Sequence, residues 1–223
     1  ARPYRRENLS LRLDYGKQLG LRFNLPDRLS DDVSRILGSF KHKTFDDING
    51  LLKRLRALER AGSSVHIYPD AEEFIEQRML QRRLAQAAEE IRNDPSRHPL
   101  RKELLNAELL PYQLDGIAFA VAAGRAVLAD DMGLGKTIQG LGVAELLARL
   151  ADIRRVLIVC PASLKSQWRS EINRFCERSS QVILGSAEER VEQYQSETFF
   201  TICNYEQVLR DHATIERQNW DLI

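Results

Sequence analysis

The chain opens on alternation. Leu9, Leu11 and Leu13 are spaced by polar residues, and so are Leu19, Leu21 and Phe23. A period of two predicts two short strands that face one core. The period then lengthens. Ser30-Asp31-Asp32 has the form of a helix start ahead of Val33, Ile36 and Leu37, and Phe45, Ile48, Leu51, Leu52, Leu55 and Leu58 keep helical spacing until Gly62. Val65-His66-Ile67-Tyr68 is a further short strand. A charged helix follows from Ala71 to Arg92, with Phe74, Ile75, Leu80, Leu84, Ala88 and Ile91 as its apolar positions. Turn formers and two prolines across Asn93–Pro99 interrupt the pattern. Residues 1–99 are therefore expected to be a small α+β region, and residues 100–223 a second domain.

Beyond the break the order is strand, helix, strand, helix, the sequence of elements that builds a parallel sheet with helices on its faces. Arg125–Ala129 is predicted as a short buried strand and Thr137–Leu150 as a helix. Val156–Cys160 is an all-apolar run, as central parallel strands tend to be, and Ser163–Phe175 is a helix. Val182–Leu184 and Phe199–Ile202 are read as strands on either side of a helical stretch, Ala187–Tyr194. Trp220–Ile223 begins one more strand. The fold class expected is α/β.

Composition narrows the picture. Of 223 residues, 43% are hydrophobic and 29% charged, which suits a packed core inside a charged surface. The longest apolar run, Ile117–Ala123, is far short of the ~18 residues of a membrane span, and no apolar stretch follows the basic residues at the N-terminus. The expectation is an intracellular protein with no membrane association. Cys160, Cys176 and Cys203 are too widely spaced for a zinc site or a disulfide framework and are expected to be buried thiols. Asn8-Leu9-Ser10 has the form of a glycosylation site, read as chance in the absence of a secretory signal. Net charge is +1, split as +4 over residues 1–100 and −3 over the remainder. That asymmetry supports no nucleic-acid assignment by itself. Lys53, Arg54, Arg56 and Arg60, like Arg78, Arg82 and Arg83, fit a solvated helix face.

Candidate chemistry concentrates in Asp131-Met132-Gly133-Leu134-Gly135-Lys136-Thr137, which joins a predicted strand to a predicted helix. A triphosphate must be wrapped by backbone N–H groups, and glycines at 133 and 135 permit dihedrals and a close approach that a Cβ blocks. The helix N-terminus behind them favours anions. Lys136 is placed to neutralise β- and γ-phosphates and Thr137 to put a hydroxyl on Mg²⁺. The general phosphate-loop pattern has a glycine six positions before the lysine, where this chain has Asp130.

Asp130–Gln139, reading Asp-Asp-Met-Gly-Leu-Gly-Lys-Thr-Ile-Gln, closely resembles the first motif of the Swi/Snf helicase-like ATPases, in which an acidic pair replaces the usual start; Asp131 stands where most members have Glu. Further segments follow in the family's order. Leu110–Gly116 resembles the adenine-reading segment, with Leu110 where Arg is usual. Cys160–Leu164 with Gln167, Trp168 and Glu171 resembles the next motif, Thr201–Glu206 the one after, and Trp220–Ile223 the strand that leads to an Asp-Glu pair. The resemblance covers about residues 104–223 and implies part of a RecA-like P-loop domain that binds ATP and Mg²⁺. Gln113 would hydrogen-bond the adenine edge, and Tyr112 would either stack on the base or pack beneath the loop. Ser163, Lys165, Gln167, Asn204 and Tyr205 would lie on loops that touch duplex DNA through its phosphates; capping is the other reading of Ser163, and Trp168 is expected in the core. The intact protein would be a DNA translocase. The Asp-Glu pair is expected just past Ile223 and the arginine fingers in a second lobe, so the 223-residue chain alone is expected to bind nucleotide weakly without hydrolysing it.

Two alternatives share the loop. A small-molecule kinase or GTPase leaves Gln113 and the two later motifs unexplained, and the chain has no Asn-Lys-x-Asp segment. A DEAD-box RNA helicase has an upstream glutamine but a phosphate loop that normally begins Ala-x-Thr-Gly. Residues 1–99 match no motif and are open to a role in docking a protein or DNA.

Overall fold

The computed structural model describes residues 9–16 and 19–223; the basic N-terminus and Asn8 lie outside the described residues. The elements run β1 (Leu9–Asp14), β2 (Gly20–Asn24), α1 (Asp31–Leu37), α2 (Ile48–Arg60), β3 (Val65–Ile67), α3 (Pro69–Asn93), α4 (Leu100–Glu103), α5 (Pro111–Ala123), α6 (Lys136–Ala151), β4 (Val156–Cys160), α7 (Lys165–Phe175), β5 (Ser180–Val182), α8 (Ala187–Gln195), β6 (Phe200–Asn204) and α9 (Tyr205–Glu216). Two compact units result, Ala1–Arg82 and Arg83–Ile223. The division falls within α3, ahead of the proline-rich break, because Ala88 and Ile91 near the end of that helix are buried in the core of the second unit.

In the first unit, β1 pairs antiparallel with β2 and parallel with β3, giving the order β2-β1-β3. The alternation of Leu9, Leu11, Leu21 and Phe23 puts these side chains on one face, buried against Val33 and Leu37 of α1 and Leu51 and Leu58 of α2. Ser30 and Asp47 cap α1 and α2, accepting from Val33 N at 3.4 Å and Gly50 N at 2.9 Å.

The second unit is α/β. Its sheet is parallel, with the order β4-β6-β5. Because alternate residues point to opposite faces, Val156, Ile158 and Cys160 of β4, with Phe200 and Ile202 of β6, enter the core shared with α5, α6 and α7. Leu157, Val159 and Cys203 point the other way, into the cluster that holds Tyr194 of α8 and Ile215 of α9. The predicted strand at Trp220–Ile223 lies beside β4 as a single parallel bridge, Val156↔Leu222, with Leu157 N donating to Leu222 O at 2.9 Å.

Residues 125–129 do not form the predicted strand. They run as irregular chain, and Val127 is 85% exposed. Among the described residues no strand pairs with them, so their apolar character finds no sheet to enter. The predicted strand at Val182–Leu184 also shifts, to Ser180–Val182, and the start of the predicted helix at Ser163 is a short 3-10 turn, Ala162–Leu164, before α7. Cys160, Cys176 and Cys203 are all buried with free thiols. Among the described residues, no helix is long and apolar enough to cross a membrane.

Candidate nucleotide-binding site

The candidate phosphate loop occupies residues 130–135, between the irregular segment and α6. Gly133 and Gly135 adopt φ of +87° and +81°, in the left-handed half of the map where a side chain is strained. Gly135 carries a second constraint: a Cβ there would lie 2.6 Å from Gln113 Nε2. It is the residue immediately before Lys136, the first of α6. The amides of the first turn, at Lys136, Thr137 and Ile138, have no intrahelical carbonyl to bond, so they form a positive end directed at the loop.

The Lys136 amine folds back over the loop, with Nζ donating to Asp130 O at 2.8 Å and Asp131 O at 3.0 Å. Among the described residues it pairs with backbone carbonyls and with no carboxylate. The Thr137 side chain is half-buried and makes no hydrogen bond among the described residues. Met132 stands 92% exposed at the loop tip.

α5 brings the predicted adenine-side residues to this loop. Pro111 occupies its first turn, where a missing N–H costs nothing. Gln113, buried to 8% exposure, is engaged at both ends: Oε1 accepts from Leu110 N at 3.0 Å, closing the helix start, and Nε2 donates to Leu134 O at 3.2 Å. The Tyr112 hydroxyl donates to the same carbonyl at 3.0 Å. Tyr112 thus braces the loop through its hydroxyl while its ring remains exposed.

Gln139, one turn into α6, is a residue whose role sequence reasoning misses. It is fully buried, and its Nε2 donates to Asp130 Oδ2 at 2.7 Å, which fixes the first residue of the loop. The acidic start that departs from the usual glycine thereby acquires a structural use. A small-residue signal exists, because Gly116 of α5 leaves the space that the Gln139 amide fills.

The residues expected on the DNA side gather at the carboxyl ends of the parallel strands, the edge of an open α/β sheet where ligands bind. Ser163 and Gln167 are exposed after β4, and Tyr205 is exposed at the start of α9 after β6. Lys165 and Asn204 turn inward instead. Lys165 Nζ donates to Ile183 O at 3.0 Å and to Gln207 Oε1 at 3.3 Å, and the same Gln207 oxygen accepts from Asn204 N at 3.1 Å. The Asn204 Nδ2 donates to Glu206, and its Oδ1 is buried without a partner. Gln207, which joins these groups, carries no signal in the sequence beyond its place three residues into a helix. Trp168, expected in the core, is partly buried against it.

The SNF2-related domain family matches residues 112–223, half of the chain. The Caenorhabditis elegans homolog of SWI/SNF-related matrix-associated actin-dependent regulator of chromatin subfamily A-like protein 1 is 34% identical over 117 residues, covering 52% of this chain and 16% of its own length. The Saccharomyces cerevisiae ISWI chromatin-remodeling complex ATPase ISW1 is 32% identical over 130 residues, covering 53% of this chain and 12% of its own. Human DNA annealing helicase and endonuclease ZRANB3 is 46% identical over 72 residues, covering 32% of this chain and 6% of its own. A solved Sulfolobus solfataricus SWI2/SNF2 ATPase core in complex with dsDNA aligns with a TM-score of 0.46 and 29% identity, over 52% of this chain and 25% of that one. The chain spans only a small part of the length of these relatives. It belongs to the SNF2-related domain family.

Proposed function

We propose that residues 83–223 are the ATP-binding part of a RecA-like motor that takes ATP with Mg²⁺ and works along duplex DNA inside the cell. The observation that carries the nucleotide half is the loop itself: two glycines at φ +87° and +81° lead into a helix N-terminus beside an amine whose partners among the described residues are backbone carbonyls. The donor set fits a magnesium–triphosphate. Residues Asp131–Thr137 supply backbone amides for the phosphates, and Lys136 exchanges two carbonyls for phosphate oxygens. Thr137 holds a hydroxyl in reserve for the metal. Mg²⁺, held with the help of Thr137, would supply positive charge to offset that of the phosphates. Gln113 retains one lone pair and one N–H beyond those it uses internally, which is the complement of an adenine edge.

On the DNA side, Ser163, Gln167 and Tyr205 offer hydroxyl and amide groups to phosphates, while Lys165 and Asn204 hold their loops in place through Gln207. Such contacts position a duplex without reading its sequence. The family match and the chromatin-remodeling ATPase and DNA annealing helicase among the relatives favour this reading over a small-molecule kinase.

A fluorescent ATP analogue titrated into the purified chain with Mg²⁺ tests the loop. Lys136→Ala is expected to weaken binding at least about tenfold, since it deletes a charge-assisted contact, with an unchanged melting temperature. Equal binding by the variant removes the nucleotide reading. Phosphate release by the whole protein, stimulated by duplex DNA and not by RNA, is the outcome expected of a DNA motor; stimulation by RNA alone would favour the DEAD-box alternative.

A further inference from the structure

Among the described residues, the sheet of the first unit has one covered face and one open face. The open face is a small grid fixed by strand register. Ser10 of β1 pairs with Asn24 of β2 and with His66 of β3, forming one row. In the next row Arg12 pairs directly with Arg22. Tyr68 sits beside them, since its N–H donates to Leu11 O at 3.0 Å, continuing the register of β3. The His66 and Tyr68 rings meet edge to face with centroids 5.0 Å apart, which puts both on this face. Arg12, Arg22, Asn24, His66 and Tyr68 are all exposed.

The arginine pair is the telling feature. Like charges directly opposite each other across an antiparallel ladder destabilise it, and the relief available locally is partial. Asp14 lies 3.7 Å from Arg22, but its carboxylate is also engaged by Thr44 and by Gly16 N at 3.2 Å. Those bonds, the Thr44 hydroxyl first, hold the Asp14 carboxyl below its ordinary range. Arg12 makes no close ion pair among the described residues, although the Asp14 charge acts on it as well as on Arg22, so one carboxylate is shared between two guanidinium groups. Two arginines whose Cα atoms are about 5 Å apart across the ladder, next to two exposed rings, match the chemistry of a polyanion that carries exposed bases.

We propose that the open face of the β2-β1-β3 sheet is a binding site for single-stranded DNA, with Arg12 and Arg22 on successive phosphates and His66 and Tyr68 stacked on unpaired bases. A duplex keeps its bases inside and gives these rings nothing to stack on, whereas aromatic groups on a sheet beside basic residues are a sequence-tolerant platform for single strands. The site lies wholly in the first unit and does not depend on the nucleotide reading of the second.

Fluorescence anisotropy of labelled oligo(dT) with the full chain, across a salt series, tests the proposal. Arg12→Gln and Arg22→Gln are each expected to weaken binding and to lower the slope of log K against log salt by about 0.7, the value for one phosphate neutralised on a single strand. They should leave the melting temperature equal or raised, because the like-charge pairing is relieved. Tyr68→Ala should weaken binding about tenfold with the salt slope unchanged, as expected when a stacked ring is removed, and Tyr68→Phe should restore it. Lys136→Ala should bind oligo(dT) as the parent does, so failure of the nucleotide site and failure of this site read out separately. The proposal is overturned if the parent does not bind oligo(dT), if oligo(rU) binds equally well, if Arg12→Gln and Arg22→Gln weaken binding of duplex DNA as much as binding of oligo(dT), or if oligo(dT) binding is indifferent to both arginines. A purely protein-docking role for this unit would give the first of these results.

Discussion

Gln113 of α5 donates its amide to the Leu134 carbonyl at 3.2 Å, and so ties the helix that begins at Pro111 to the middle of the phosphate loop. The same side chain closes the start of its own helix on Leu110 N. Gln113→Ala removes both bonds, each worth a net ~0.5–1.5 kcal/mol. Calorimetric titration with an ATP analogue and Mg²⁺ is expected to show affinity reduced about tenfold, together with a lower melting temperature. Tyr112→Phe deletes only the second donor on Leu134 O and should cost less than about threefold. If the two variants rank the other way, the brace is through tyrosine and the glutamine is a helix cap.

Gly116 and Gln139 give a second expectation. A methyl group at 116 would meet the Gln139 Oε1 atom, and Gln139 has no room to yield because it is fully buried and bonded to Asp130. Gly116→Ala should therefore cost about 1–3 kcal/mol of stability, the range for overpacking in a filled core. Chemical denaturation measures it. The double variant Gly116→Ala, Gln139→Ala should recover part of the loss, since the second change removes the obstructing amide; a purely additive result would show that the clash lies elsewhere.

The buried thiols set the alkaline limit. Burial pushes Cys176 up to about 12 and Cys203 up to about 11 from an ordinary 9.0, with the Glu145 charge adding to the shift at Cys176. Burial raises Cys160 as well, and the Tyr194 hydroxyl above its usual value. A group whose folded pKa is raised stays protonated in the native chain while the unfolded chain ionises, so its contribution is intact below pH 9 and is lost between about 9 and 12. Stability should be flat from neutrality to about pH 9 and then fall. Alkylation at pH 8 should be slow in the native state and fast in denaturant, because the thiolate is the nucleophile. Rapid native labelling of Cys176 would contradict the burial.

The sequence was most informative where one local rule decides the outcome. Alternation placed β1 and β2, and Gly133 and Gly135 announced a loop whose backbone then adopts positive φ at both. It was less informative where a side chain's partner comes from a distant segment. Lys165 has the look of a surface cation, yet its amine is shared between Ile183 O and Gln207, 18 and 42 residues away. Gln139 reads as an ordinary helix residue until Gly116, from a different helix, is seen to make room for it. The strand expected at 125–129 failed for a related reason: an apolar run states a preference for burial, but a strand also needs a neighbour to accept its hydrogen bonds.

The unpaired run at 125–129 has a material consequence for the described residues. Ala126 and Leu128 line a cavity of about 450 Å³ together with Val156, Ile158 and Leu222. An apolar trough bordered by backbone without a ladder partner is a template for a strand from another molecule. Kept concentrated, the chain should therefore be prone to clump by cross-strand pairing at this seam, and a charged replacement of Ala126, which lines the trough, should keep it dispersed.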